Sequence, residues 1–295
     1  MNGVLVVDKP QEFTSFDVVA VVRKLSGQKK IGHTGTLDPN ATGVLPLLLG
    51  NATKAQDIVP NHDKEYIAEF KLGITTDTLD IWGQVKSETE SPVHQNQIEE
   101  IIKKFTGEIE QIPPMFSAVS VNGQRLYDLA RKGVEVERKP RKITVYELEI
   151  ESFDEQSQSG TLRVKCSKGT YIRTLIDDIG AELKVGAVMT ALRRTMACGF
   201  EIEKALTLNK IKEIPKEELE NKLMSTESLF YAYPELWVTD AQANRFHNGG
   251  ALNVHRTKLA DKNVPDGSIY RIKGLKKFLG LGIIKDNSIK LYKHF

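Results

Sequence analysis

Residues 32–45 read Gly-His-Thr-Gly-Thr-Leu-Asp-Pro-Asn-Ala-Thr-Gly-Val-Leu, and the interpretation of the whole chain depends on this stretch. Its glycines suggest a phosphate-binding loop, but no Gly-Lys-Ser/Thr follows and the G-x-G-x-x-G spacing is absent, which disfavours a nucleoside triphosphate site. Pro39 biases Asp38 towards an extended backbone, and the flanking glycines permit close approach of another molecule. On residue types alone a simple turn explains Asp38-Pro39 best, although the same geometry would present one carboxylate at the mouth of a site.

The segments before this stretch carry a strand pattern and then a helix pattern. Residues 1–10 contain a short apolar run without a basic leader, which predicts a strand instead of a signal peptide. Thr14 can cap a helix whose apolar residues follow helical spacing until Gly27 ends it. Residues 31–53 are rich in glycine, so we predict that their first half, which includes Asp38, is a loop.

Further along the chain, two alternating segments predict strands. Residues 66–72 and 161–167 alternate apolar and polar side chains, as half-buried strands do. The second segment leads into residues 172–183, whose apolar side chains recur at helical intervals. Arg173 is predicted to lie in the first turn of that helix. Short apolar runs between residues 268 and 292 predict a small β-rich module.

The composition indicates a globular protein that can bury a full core. Hydrophobic residues make up 40% of the chain and charged residues 27%. No apolar stretch approaches membrane-spanning length. The two cysteines, Cys166 and Cys198, provide neither a C-x-x-C pair nor a disulfide framework. We therefore expect a cytoplasmic protein that binds no metal.

Positive charge is concentrated in two segments, although the net charge is only +2. Residues 121–145 contain seven Lys/Arg against three Asp/Glu, and residues 254–295 contain ten against three. A solvated charged face and a surface for a polyanionic partner explain such segments about equally well until other observations are added.

Several separated blocks together resemble the TruB family of bacterial tRNA pseudouridine synthases. Residues 32–45 match the family signature G-H-x-G-x-L-D-P-x-A-T-G-V-L, in which the aspartate is the nucleophile. Several independent motifs in the family's order are far more specific together than any one of them alone. The resemblance therefore overrides the interpretation of Asp38 as a turn residue. The other blocks are Val7-Asp-Lys-Pro, Lys64-Glu-Tyr, Thr76-Asp-Thr-Leu-Asp-Ile-Trp-Gly, Cys166-Ser-Lys-Gly-Thr-Tyr-Ile-Arg-Thr-Leu and Leu192-Arg-Arg-Thr.

The resemblance implies an α+β architecture, the pseudouridine synthase fold. We expect a mixed, largely antiparallel sheet flanked by helices, plus a small C-terminal β-rich PUA-like domain. The catalytic domain would span residues 1–234 and the C-terminal RNA-binding domain residues 235–295. An RNA-binding insertion is expected at residues 113–142, where the basic segment 122–133 would close over the T-arm of tRNA.

The implied activity is conversion of uridine 55 in the tRNA T-loop to pseudouridine after the base has been flipped into a pocket. Because the reaction detaches the uracil, rotates it and rejoins it through carbon, it needs no cofactor. The implied partner is the T-arm of tRNA, with no membrane, no protein partner and a monomeric enzyme, and a secondary role in tRNA folding stays open. A guide-dependent synthase subunit and a non-catalytic RNA-binding protein are the alternatives. The basic insertion argues against the first and the complete Asp38 loop against the second.

The resemblance assigns catalytic roles to three residues. Asp38 would be the nucleophile, and Arg173 the cation that holds its carboxylate in one orientation. Tyr66 would stack on the target base and assist removal of the proton from carbon. The sequence does not decide whether Asp38 attacks the anomeric carbon or removes a sugar proton.

Four further residues are expected around the substrate. Tyr171 and Leu192 resemble walls of the uracil pocket. Lys9 is grouped with the substrate-binding residues, although we expect a structural role for it beside the active loop. His33 is expected to meet the RNA, although solvent exposure would also explain a lone histidine in a loop.

Three positions depart from the family pattern. Glu12 replaces the usual glycine two positions after the Asp-Lys-Pro block, Phe116 stands where a tyrosine is frequent, and Ser120 where a lysine is frequent. All three lie outside residues 32–45, so we expect them to affect RNA contacts more than activity.

Overall fold

The computed structural model describes residues 1–121, 123–274 and 276–295. Asn122, the first residue of the predicted basic segment, therefore lies outside the described residues. The strands, in chain order, are β1 (Gly3–Lys9), β2 (Ile31–His33), β3 (Thr42–Leu49), β4 (Lys64–Leu72), β5 (Ile74–Thr76), β6 (Val85–Glu88), β7 (Gly107–Gln111), β8 (Ser120–Val121), β9 (Gln124–Arg125), β10 (Arg141–Asp154), β11 (Ser159–Cys166), β12 (Ala187–Ala197), β13 (Phe200–Glu201), β14 (Leu206–Thr207), β15 (Glu235–Trp237), β16 (Leu252–Asn253), β17 (Ile269–Gly274), β18 (Lys277–Lys285) and β19 (Ser288–Lys293). The α-helices are α1 (Ser15–Ser26), α2 (Gln95–Ile101), α3 (Leu126–Ala130), α4 (Ile172–Glu182), α5 (Leu208–Glu213), α6 (Lys216–Leu219) and α7 (Asp240–His247).

Ten of the described strands form one mixed sheet. Its order is β14-β1-β3-β12-β4-β11-β10-β7, with β2 paired to β3 and β13 paired to β12. Two contacts in it, β1 with β14 and β3 with β12, are parallel, and the other pairings are antiparallel. The predicted mixed, largely antiparallel sheet is confirmed. The β3–β12 contact matters most for the site, because it brings the loop before β3 next to β12 and β4.

Helix α1 forms as its capping residues predict. The Thr14 hydroxyl accepts the Asp17 backbone N–H at 3.1 Å, and the Asp17 carboxylate accepts the Thr14 N–H at 2.9 Å. Gly27 ends the helix with φ 67°, in the left-handed region that glycine tolerates. Val18 and Val22 are buried against β1 and β3, so the helix fixes one wall beside the Asp38 loop.

The prediction of a loop over the first half of residues 31–53 is wrong for its first three residues. Ile31–His33 form β2, which pairs antiparallel with the end of β3. The reason is burial, because Ile31 packs into the apolar cluster beneath α1. Asp38 still lies in the connecting loop, which runs from residue 34 to residue 41.

The two alternating segments form neighbouring strands of the large sheet, as predicted. β4 and β11 pair antiparallel, with Tyr66 opposite Val164. Their buried side chains form one core with the apolar face of α4. α4 begins at Ile172, directly after the corner that follows β11, and this places Arg173 in its first turn.

The C-terminal residues form a second sheet of five strands in the order β15-β17-β18-β19-β16. The predicted β-rich C-terminal module is confirmed, whereas the boundary at residues 234 and 235 stays a prediction. Phe230 joins this module to the first sheet, since its ring centroid lies 5.1 Å from that of Phe295 and 6.4 Å from that of Phe278. None of the helices in the described part of the chain combines the length and apolar character needed to cross a membrane.

Candidate active site

Asp38 and Arg173, predicted as partners, form an ion pair across 135 residues of sequence (173 − 38). Arg173 Nη2 lies 2.9 Å from Asp38 Oδ2. The arginine side chain is only 8% exposed, whereas that of the aspartate is 45% exposed. The pair therefore presents a solvent-accessible carboxylate whose orientation is fixed from below by a buried cation.

Arg173 is itself held by two other segments. Its Nη1 donates to the Thr78 carbonyl at 3.1 Å, and its Nη2 donates to the Phe116 carbonyl at 3.0 Å. Asp80 Oδ2 lies 3.8 Å from Arg173 Nη1 and provides a second, weaker carboxylate partner. No role was predicted for Asp80, which lies in the block at residues 76–83, so the structure adds it to the site.

The loop on either side of Asp38 is tied down by groups from earlier in the chain. The Ser15 hydroxyl accepts the Leu37 N–H at 2.9 Å and donates to the Leu37 carbonyl at 3.3 Å. Lys9 Nζ donates to the Pro39 carbonyl at 2.9 Å. The residues immediately before and after Asp38 are thus both anchored, which restricts the positions open to its carboxylate.

Lys9 is fully buried, and its ammonium group donates to three carbonyls. Besides Pro39, the acceptors are Pro10 at 2.8 Å and Phe13 at 2.6 Å. Burial lowers the pKa of Lys9 to about 8, and the nearby Asp38 carboxylate partly offsets that decrease. The geometry fits the structural role expected beside the active loop. It leaves Lys9 no exposed surface with which to contact a substrate, contrary to its grouping with the substrate-binding residues.

Tyr66 lies in β4 near the Asp38 loop, with its side chain almost fully buried. Burial raises the pKa of Tyr66 to about 12, although the positive charge of the neighbouring Arg194 acts in the opposite direction. The hydroxyl therefore carries its proton at neutral pH.

Tyr171 and Leu192, the predicted walls of a base pocket, are both half-buried. Tyr171 directly precedes α4, where the Gln111 side chain accepts its N–H at 2.8 Å and donates to its carbonyl at 3.0 Å. Leu192 lies in β12 opposite Ala68 and packs against the core that contains Tyr66. The structure thus places Leu192 and Tyr66 on adjoining strands, and Tyr171 two residues before Arg173.

His33 is the last residue of β2. Its side chain is half-buried, so it is not a freely exposed loop histidine. Burial, followed by the positive charge of Arg194, lowers its pKa, and the imidazole is neutral at pH 7. Its Nδ1 is buried without a hydrogen-bond partner in the described part of the chain. Contact between His33 and RNA stays a prediction.

Residues 123–132 line a basic cleft built around one aromatic ring. The guanidinium carbon of Arg131 lies 5.5 Å from the Tyr127 ring centroid, and that of Arg125 lies 5.9 Å away. Together with Lys132 these residues line an open cleft of about 610 Å³. Across residues 1–121, 123–274 and 276–295, these three cations form no salt bridge, so they are available to phosphate groups.

The arrangement supports chemistry at a carboxylate. An exposed, oriented aspartate can attack an electrophilic carbon or take up a proton, and the basic cleft suits a polyanion. Among the residues that the structure describes, no group of three or more His, Cys, Asp or Glu side chains is placed to hold a metal ion.

Comparison with known proteins agrees with the predicted family over the full length of the chain. Residues 23–172 match the family model described as TruB family pseudouridylate synthase (N terminal domain), and residues 173–230 match that of the tRNA pseudouridylate synthase B C-terminal domain. The tRNA pseudouridine synthase B of Clostridium tetani (strain Massachusetts / E88) is 44% identical over 294 residues, covering 99% of both chains. That of Clostridium kluyveri is 42% identical over 297 residues, covering all of both chains.

A solved structure shares the fold. A chain in the crystal structure of a Cbf5-Nop10-Gar1 complex superposes with a TM-score of 0.73 at 28% identity, covering 99% of this chain and 84% of the other. Fold, signature blocks and full-length similarity agree. The chain belongs to the TruB family of pseudouridylate synthases.

Proposed function

We propose that this enzyme isomerises uridine 55 in the T-loop of tRNA to pseudouridine. The observation that carries the proposal is the Asp38–Arg173 pair, an exposed carboxylate held at 2.9 Å by a buried guanidinium within the family signature. The curated relatives with 44% and 42% identity are both named tRNA pseudouridine synthase B, which supports tRNA as the substrate.

In the proposed mechanism Asp38 initiates cleavage of the bond between the uracil N1 and the sugar C1′. Its carboxylate either attacks C1′, displacing the uracil, or removes a sugar proton so that the base is eliminated. Arg173 serves both routes, because its planar fork keeps the carboxylate pointing towards the sugar. Asp80, 3.8 Å from the same guanidinium, limits the rotation of that fork.

The detached uracil then rotates, and its C5 bonds to C1′; on the attack route the Asp38–C1′ bond breaks as the new bond forms, and on the elimination route Asp38 returns the proton to the sugar. N1 gains a proton and C5 loses one, so the overall change is an isomerisation without an external reactant. Tyr66 supports the ring, with Tyr171 and Leu192 as further walls. Because its hydroxyl is protonated at neutral pH, Tyr66 has to pass its own proton on as it accepts the one from C5.

We propose that the basic cleft of the insertion holds the tRNA backbone. Extruding a uridine from a folded loop costs about a few kcal/mol of stacking, and contacts to phosphates offset that cost. Arg125, Arg131 and Lys132 surround the exposed cleft and are suited to such contacts. The insertion at residues 113–142 would thus grip the T-arm, and the domain at residues 235–295 would contact the RNA further away.

We further propose that the enzyme acts in the cytoplasm as a monomer, without a cofactor or protein partner. The solved structure with a similar fold is a multi-protein complex, whereas the curated relatives match this chain from end to end. Activity of the isolated chain on naked tRNA would distinguish an enzyme that acts alone from one that requires protein partners.

The test uses the purified chain and a tRNA transcript made with uridine that carries tritium at C5. Isomerisation forms the new bond at C5, so each modified uridine releases one tritium. We expect one equivalent of tritium per tRNA, and none from a matched transcript with cytidine at position 55. Release only after addition of a guide RNA or another protein, or equal release from both transcripts, would contradict the proposal.

A further inference from the structure

Arg194 is a fully buried arginine beneath the Asp38 loop, and it takes no part in the proposed bond-breaking and bond-forming steps. It lies in β12, directly opposite Tyr66 of β4 on one side and Gly43 of β3 on the other. In the described part of the chain no carboxylate forms an ion pair with its guanidinium. A charge buried in this way costs folding free energy, which a neutral side chain would avoid.

The guanidinium joins the two ends of the Asp38 loop. Nε donates to the Val44 carbonyl at 2.7 Å, Nη2 to the Gly35 carbonyl at 3.1 Å and Nη1 to the Thr36 carbonyl at 3.4 Å. Gly35 and Thr36 precede Asp38, whereas Val44 lies in the strand that follows the loop. One side chain therefore fixes the width of the loop at its base.

The backbones of β3 and β12 also approach each other closely, at Gly43 and Arg194. Gly43 has φ 103°, and a Cβ atom at this position would collide with the Arg194 carbonyl oxygen. Only glycine both adopts this positive φ readily and leaves room for the Arg194 carbonyl oxygen. The approach of β3 to β12 thus depends on Gly43, and it brings the loop carbonyls within reach of the Arg194 side chain.

The same side chain lies beside Tyr66. The two residues are directly opposed on neighbouring strands, so their side chains share one face of the sheet. Arg194 consequently binds the loop that carries Asp38 and lies next to the ring that would support the uracil.

We propose that Arg194 is a positioning residue that holds the Asp38 loop in place beside Tyr66, so that both Asp38 and Tyr66 reach the same uridine. This inference rests on the proposed function, because it assigns Arg194 to that reaction. Because Arg194 is fully buried, its effect would be transmitted through the carbonyls of the Asp38 loop.

The test compares three variants in the tritium-release assay. Arg194→Met fills a similar volume without donors, and Arg194→Lys keeps a charge that cannot reach three carbonyls at once. Arg193→Met is the matched control, because Arg193 is the next residue of β12, is 43% exposed and pairs with Asp8. We expect kcat to fall about 100-fold or more in both Arg194 variants, with KM for tRNA within about threefold, because a misplacement of about 1 Å has such an effect. The control should keep kcat within about threefold.

A second measurement reports on Tyr66 directly. Fluorotyrosine placed at position 66 gives a fluorine NMR signal whose shift depends on the groups beside the ring. The signal should move in Arg194→Met and stay in place in Arg193→Met. A merely structural role would lower the melting temperature without lowering kcat of the folded protein, so the shift is read together with kcat in Arg194→Lys and Arg194→Met.

The outcomes separate the two proposals. A folded Arg194→Met enzyme with wild-type kcat would overturn the inference, as would an unmoved fluorine signal. Failure of both Arg194 variants to fold would assign Arg194 a purely structural role and would also overturn it. A wild-type chain that releases no tritium would instead reject the proposed function, and the fluorine signal would still report whether Arg194 positions Tyr66.

Discussion

Replacing Arg173 by lysine tests how strictly the Asp38 carboxylate must be oriented. The arginine donates to Asp38 at 2.9 Å and to the carbonyls of Thr78 and Phe116 at 3.1 and 3.0 Å. These three acceptors lie on different segments, and a planar fork reaches all of them from one position. A lysine ammonium is a point charge on a flexible stem and cannot reproduce that geometry.

The expected loss follows from these contacts. A lysine that keeps one acceptor leaves the others unsatisfied, and Asp38, which is 45% exposed, can turn into water. Loss of one preorganised hydrogen bond or a shift of about 1 Å each cost roughly 100- to 1000-fold in rate. We therefore expect kcat to fall 100- to 1000-fold, about 3–4 kcal/mol in activation free energy. KM for tRNA should change little, because Arg173 is buried.

Single-turnover tritium release with enzyme in excess measures the chemical step, and filter binding gives the tRNA affinity. Arg163→Lys is a suitable control, because Arg163 is a half-exposed strand arginine paired with Glu65 and Glu151. We expect the control to stay within about threefold of wild type. A folded Arg173→Lys enzyme with a wild-type rate would refute the reasoning that the guanidinium orients Asp38.

Three further changes have expected results. Deprotonation of Lys9 should raise the free energy of unfolding between pH 8 and 10.5. The Lys9 ammonium loses its proton near pH 8 in the folded state but only near pH 10.5, the ordinary pKa of lysine, in the unfolded state. Denaturant titrations across this range should show the rise in wild type, and an equal rise in Lys9→Met would contradict it. Glu12→Gly should stabilise the fold by about 1 kcal/mol, because Glu12 has φ 64° and glycine tolerates that region; urea unfolding measures this, and a lower midpoint would count against it. Arg131→Gln should weaken tRNA binding and reduce the slope of log affinity against log salt by about 1, since one phosphate contact is lost; an unchanged slope would argue against that contact.

Local features of the sequence predict most of the elements around the site. The Thr14 cap, the Gly27 stop and the alternation in β4 and β11 depend only on neighbouring residues, and the structure contains each of them. The β2 strand at residues 31–33 was missed, because it is too short to show a period and forms only by pairing with β3.

The site depends on contacts that no local pattern reveals. The pairing of Asp38 with Arg173 was predicted from the family blocks and has no signature of its own in either segment. No role was predicted for Arg194 or Asp80, although both lie within the family blocks. The position of Arg194 depends on the parallel contact of β3 with β12. That of Asp80 depends on the approach of the segment around Thr78 to Arg173 in α4. Both contacts join residues far apart in the chain. The charge of Arg194 on a buried strand face was the one available signal.

The central claim is that the Asp38 carboxylate is the group that isomerises uridine 55, and Asp38→Asn tests it most directly. Asparagine keeps the size of the side chain and removes its charge, so tRNA binding should remain nearly intact. The measurement is mass mapping of carbodiimide-labelled pseudouridine in T-arm RNA after incubation with each protein. We predict a single label at position 55 with wild type and none with Asp38→Asn, whereas a label at position 55 from the variant would contradict the claim.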